Sequence, residues 1–175
     1  MKRLSESVWS DIHKRSNGEQ IRKEDITTNI RDLFPVDMGV TVLWADRDLE
    51  YKNEDDPSYF TYKEVENIIK NSKWRFPTKE ETSELFKYTR IMKNTDEVCI
   101  LEGDFDGGPQ LIFYKNGYKL GDSDHLYKDY CYCCWTSTEY KTSPETYYMF
   151  NVYQHQSHIP MHKENRVPVR LVKDK

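Results

Sequence analysis

The chain has 175 residues, 37% of them hydrophobic and 32% charged, with a formal net charge of −4. That length fits one domain with or without an appendage, and 13 Tyr with 4 Trp supply large faces to bury, which argues against disorder throughout. A balance of 30 acidic against 26 basic residues gives no chain-wide reason to expect nucleic acid, and no apolar run approaches the roughly 20 residues needed for membrane insertion.

Residues 1–34 differ in character from the remainder of the chain, being polar with few apolar anchors. Met1-Lys2-Arg3 leads into Leu4-Ser5-Glu6-Ser7 and not into an apolar signal core, so the expected start of the chain lies inside a cell. Val8, Trp9 and Ile12 are the main apolar cluster, spaced to share one side of a short helix that Asn17-Gly18 would end. Such a face needs a partner. Two readings stay open: an element laid against the domain, or a docking peptide that orders on a larger assembly.

Downstream, Val40, Val42 and Trp44 alternate as a strand does, and 53–58 is a polar loop. Thr61 and Glu64 have capping-box spacing and open a helix with Val65, Ile68 and Ile69 turned inward. Residues 74–76 read as a short strand stopped by Pro77. Thr78 and Glu81 form a second capping box, opening a helix whose inward residues are Leu85 and Phe86, with Tyr88 flanking and Ile91 near its end. Residues 97–101 and 110–114 read as a hairpin around a Gly-rich turn. A polar loop is expected over 119–128, strands over 130–136 and 147–153, and a loop or irregular hairpin over 151–165, before Val167, Val169 and Leu171 close the sheet.

Residues 102–107 carry the alternating acidic spacing of a calcium loop, but the twelfth position would be Phe113 where a bidentate Glu is required, so a polar turn is expected and no metal. His155, His158 and His162 would share a helix face as zinc or nickel ligands do, yet Pro160 interrupts any helix there. Cys131, Cys133 and Cys134 crowd one strand-like segment and Cys99 stands alone, which predicts four free, core-filling thiols in a reducing compartment. Trp74, Trp135 and Arg170 have the character of structural residues: large rings, and a planar fork able to bridge backbone and carboxylate groups. No cofactor is expected.

Several segments in order resemble the major-paralogous-domain family. They are Val36-Asp37-Met38-Gly39-Val40-Thr41-Val42-Leu43-Trp44-Ala45, Trp74-Arg75-Phe76-Pro77-Thr78, Leu111-Ile112-Phe113-Tyr114-Lys115-Asn116-Gly117-Tyr118, Cys134-Trp135-Thr136-Ser137-Thr138-Glu139 and Arg166-Val167-Pro168-Val169-Arg170-Leu171-Val172. The resemblance implies an α+β, C-type-lectin-like fold over 35–175, with two short helices, small antiparallel sheets and 1–34 as an N-terminal anchoring segment. It also implies variable loops on a fixed frame, and hence a binding module, not an enzyme. The candidate ligand-binding residues are Tyr140, Tyr147, His155, Gln156 and His158.

The leader, with Ser7-Val8-Trp9 followed by Asp11-Ile12 and with Arg22-Lys23-Glu24-Asp25, resembles N-terminal segments of virion proteins from crAss-like tailed phages. That resemblance implies attachment to a capsid through Val8, Trp9 and Ile12, assembly in the host cytoplasm into a virion, and a lectin-like domain facing host-surface glycan or protein. A homo-oligomer would suit a fibre, though no heptad repeat encodes one. The alternatives are a cellular adhesin-like interaction protein and an enzyme related to the sulfatase-modifying factors, whose thiol or metal chemistry would depend on Cys131 or Cys133.

Overall fold

A computed structural model of the chain describes residues 28–52, 58–103, 106–121, 123, 126–127, 132–152 and 157–175. The architecture is α+β, built from small antiparallel sheets and two short helices. Val8, Trp9, Ile12, Cys131, His155 and Gln156 lie outside the described residues.

The first sheet places β2 (Val42–Ala45) between β1 (Pro35–Asp37) and β11 (Val172–Asp174), so Trp44 is paired with Val36 on one side and Val172 on the other. The turn from β1 to β2 uses Gly39 at φ +79, a left-handed conformation that favours glycine, and Asp37 Oδ1 accepts its N–H at 2.9 Å. A 3-10 helix, Asn29–Asp32, precedes β1. Leu33 is buried beside it, and the Asn29 side chain donates to the Asp48 carbonyl at 2.9 Å and accepts from the Glu50 amide at 2.9 Å. Thr28 is buried as well and bridges to Tyr51.

Both capping boxes form. In α1 (Tyr62–Ile69), Thr61 Oγ1 accepts from the Glu64 amide at 3.3 Å and Glu64 accepts from the Thr61 amide at 2.7 Å; in α2 (Lys79–Lys87), Thr78 and Glu81 make the same exchange at 3.1 and 2.8 Å. Helix α1 buries Val65, with Ile68 and Ile69 half-buried, and α2 buries Leu85 and Phe86. Residues 74–76 do not form a strand. Only Arg75 pairs, exchanging both backbone hydrogen bonds with Val172 before Pro77 removes the next donor.

Ile91 does not end a helix. It sits on β3 (Thr89–Asn94), the outer strand of a meander with β4 (Val98–Gly103) and β5 (Gln110–Tyr114). The expected polar loop over 119–128 contains one end of a short hairpin, β6 (Tyr118–Lys119) with β7 (Leu126–Tyr127), and the Tyr118 and Tyr127 rings stack 5.2 Å apart. The third sheet runs β10 (Ser157–His162), β9 (Thr146–Asn151), β8 (Cys133–Glu139). Of the loop or irregular hairpin expected over 151–165, the structure forms a hairpin, with β10 paired antiparallel to β9. Pro160 is accommodated because β10 is the outer strand, where a missing N–H breaks no central ladder.

This third sheet separates two cores. Cys133, Trp135 and Met149 pack on one side with Phe60, Tyr62, Val65, Val167, Val169 and Leu171. Cys134, Phe150 and Val152 pack on the other with Trp44, Leu85, Phe86, Leu101 and Phe113. Trp135 donates from its indole nitrogen to the Phe60 carbonyl at 3.0 Å, and Trp74 is buried near the edge of the same core. The expectation of four free thiols is corrected at Cys133, which is disulfide-bonded. Cys99 and Cys134 are free and buried.

Candidate functional site

Period-two alternation along β9 sends Tyr147 and Tyr148 to opposite faces of the third sheet. On the α2 face, Tyr148 is flanked edge-on by Tyr140, with centroids 5.4 Å apart at 88°, and by His158, 6.3 Å away at 82°. The Lys79 Nζ stands 4.2 Å from the centroid of the Tyr148 ring. All three rings are half-buried, so each keeps part of its surface open to solvent.

Helix α2 is held to this face through its first turn. The Lys79 amide donates to Thr138 Oγ1 at 2.9 Å, and the Ser137 amide donates to the Pro77 carbonyl at 2.8 Å. Thr82 Oγ1 donates to the Lys79 carbonyl at 2.8 Å and lies 2.6 Å from His158 Nε2. Since the hydroxyl has one proton and gives it to Lys79, the imidazole Nε2 is the donor in the second bond. Burial, then the nearby Lys79 ammonium, pushes the His158 pKa below its ordinary value. Both effects favour the neutral imidazole beside Thr82. Tyr140 is set by the turn after β8, where its amide donates to the Thr146 carbonyl at 2.8 Å and Glu145 takes a left-handed φ of +59.

Tyr147 belongs to the other face. Its ring stacks on Tyr62 at 3.7 Å and 13°, Tyr62 stacks in turn on Phe76 at 4.5 Å, and the Tyr147 hydroxyl donates to Glu139 Oε1 at 3.3 Å. Of the candidate ligand-binding residues, the structure thus brings Tyr140 and His158 together around Tyr148 and sets Tyr147 apart. Strand periodicity places Tyr147 on the opposite face of the sheet from Tyr148. Tyr148, Lys79 and Thr82 are not among the residues expected from sequence, although the same alternation in Tyr147-Tyr148-Met149-Phe150 is a signal that separates the two tyrosines.

The remaining candidates have structural employment. His162 lies four residues from His158 along a strand, a separation of roughly 13 Å that no single ion spans. Glu102 is almost wholly buried and bonded to Arg90 and Gln110, and among the described residues no group of three or more His, Cys, Asp or Glu is arranged to hold a metal. Burial pushes the Cys99 thiol up to about 11 and the Cys134 thiol well above its ordinary value, so neither is poised as a thiolate. Comparisons with family models, with curated proteins and with solved structures return no match.

Proposed function

We propose that the protein is a non-enzymatic binding module on a C-type-lectin-like frame, a capsid decoration or head-fibre component of a tailed phage that reads host-surface glycan. The observation that carries the binding reading is the Tyr140–Tyr148–His158 cluster with Lys79 over the central ring. Half-exposed rings offer faces for the C–H surface of a sugar, and Lys79 supplies a donor beside them. Their supports are rigid strands and a capped helix, which suits a preformed site. The virion assignment rests on the leader's sequence, with Val8, Trp9 and Ile12 as the capsid anchor.

The test uses the full chain with two sets of substitutions. Tyr148→Ala should abolish a glycan-array signal while leaving decoration of assembled capsids intact, and Trp9→Ala with Ile12→Ala should do the reverse. A glycan signal that survives Tyr148→Ala overturns the proposed site. A chain that neither decorates capsids nor binds any glycan overturns the whole reading.

A further inference from the structure

The meander of β3, β4 and β5 has one face in the core and one face bare. Cys99 and Leu101 of β4 and Leu111 and Phe113 of β5 alternate inward and are buried in the core that holds Trp44 and Phe150. The residues between them alternate outward. Register sets Ile100 directly opposite Ile112 and Val98 opposite Tyr114, so the outward side chains form one continuous apolar strip. Ile112 is 38% exposed and Tyr114 52%, and Met92 adds a side chain 50% exposed at the bulge of β3. Singly exposed hydrophobics are ordinary, whereas a contiguous strip on a regular sheet marks an interaction surface.

Charge narrows the occupant. Arg90, Glu102 and Asp106 close one end of the strip and neutralise one another. Lys93 stands exposed opposite Ile100 and forms no ion pair among the described residues. The strip therefore suits an apolar segment that carries one acidic group. Residues 8–12 have that character, with Val8, Trp9 and Ile12 around a single charge, Asp11.

The described chain also begins beside this sheet. Thr28 is buried and bridges to Tyr51. The Asn29 side chain donates to the Asp48 carbonyl at 2.9 Å, Asp48 Oδ1 accepts from Arg170 Nε at 2.6 Å, and Arg170 Nη2 donates to the Ile112 carbonyl at 2.6 Å. A second route runs from Tyr51, whose amide donates to Ser58 Oγ at 2.8 Å, to Tyr59, whose hydroxyl donates to the Asn116 carbonyl at 2.6 Å just beyond β5. Residues 1–27 thus join the domain next to β5, the outer strand that carries Ile112 and Tyr114. From Ile12 to Thr28 the chain can extend about 50 Å, far more than those linked side chains span.

We propose that Val8, Trp9 and Ile12 fold back onto the outer face of the meander in their own chain, covering Ile100, Ile112 and Tyr114, with Asp11 toward Lys93. Face and occupant belong to one molecule, so this contact needs neither glycan nor capsid. Anchoring to a capsid through the same side chains would first require their release from the sheet.

The test is isoleucine-methyl NMR of the full chain. In the parent, the Ile100 and Ile112 methyls should show NOEs to the Trp9 ring that persist unchanged on tenfold dilution. Trp9→Ala with Ile12→Ala should abolish these NOEs and shift both methyls, while Ile68 and Ile69, packed on the other core, stay in place. Ile112→Ser with Tyr114→Ser changes two exposed positions and should move the Trp9 indole signal to that of an unfolded chain, with the Ile68 and Ile69 methyls again reporting an intact fold. NOEs that vanish on dilution together with a dimer in sedimentation assign the face to a second copy and overturn the proposal. NOEs from Trp9 to a different surface, none from Trp9 at all, or an indole signal unmoved by the Ile112, Tyr114 substitutions overturn it as well.

Discussion

Arg170 donates from Nε to Asp48 Oδ1 at 2.6 Å with the arginine wholly buried, and its other nitrogens reach the carbonyls of Ala45, Asp46 and Ile112. One guanidinium thus ties the C-terminal segment to the end of β2 and to the backbone of β5. Removing one member leaves a buried charge uncompensated, so Asp48→Leu and Arg170→Met should each cost about 3–5 kcal/mol in urea denaturation. Replacing both, as Arg170→Met with Asp48→Leu, should cost less than the sum of the two. A double variant as damaged as that sum would show that the pair is not a unit.

The two helix starts offer a cleaner comparison. Thr61→Ala and Thr78→Ala each remove one half of a reciprocal cap and should cost about 1 kcal/mol. The helices pack into different cores, so the losses should add within about 0.5 kcal/mol. Glu81→Gln should cost more than Glu64→Gln, because Glu81 also receives the bidentate fork of the half-buried Arg75, whereas Arg166 reaches Glu64 through one nitrogen alone.

Acidification should act on the Tyr148 face first. The His158 pKa is lower in the folded chain than its unfolded value of about 6.5, so its contribution is present above that value and is lost as pH falls through the folded one. Between about pH 7.5 and 5.5 the parent chain should lose stability relative to His158→Gln, read as a converging denaturation midpoint. Burial raises the Glu81 pKa, but the hydrogen bonds from Arg75 and the Thr78 amide outweigh it and leave the carboxyl below its ordinary value. A second loss, absent from Glu81→Gln, should therefore begin only as pH falls below about 4.3.

The two central tryptophans should respond differently to the same change. The buried Trp44 indole nitrogen has no hydrogen-bond partner among the described residues, while that of Trp135 donates to Phe60. Trp44→Phe removes an unsatisfied donor along with part of a ring, and Trp135→Phe removes a made bond. We expect Trp135→Phe to cost about 1–2 kcal/mol more, and equal losses would show that the indole bond contributes nothing.

The helix starts are legible because a cap is a local exchange between residues three apart, and Thr61 with Glu64 and Thr78 with Glu81 carry it in the letters alone. Hairpin β4–β5 is legible for a similar reason: Gln110 to Tyr114 alternates exposed and buried without a break. Strand β3 has no such pattern, since all but its first residue are exposed, and Ile91 consequently reads as part of the preceding helix. Strand β10 is hidden by Pro160, whose permissibility depends on the strand lying outermost, a fact of topology that no window of sequence contains. The site suffers likewise. Tyr140 and His158 come to flank Tyr148 only through the antiparallel pairing of β8, β9 and β10, and Lys79 joins them from a distant helix, as its 59-residue separation from Thr138 indicates.

Met149 and Phe150 are neighbours in the chain, yet each is buried in a different core. Neither core can melt alone without stripping one face from the same three strands, which binds the halves into a single cooperative transition. Reporters at adjacent positions of β9 should then lose protection from hydrogen exchange together, although they look into separate interiors.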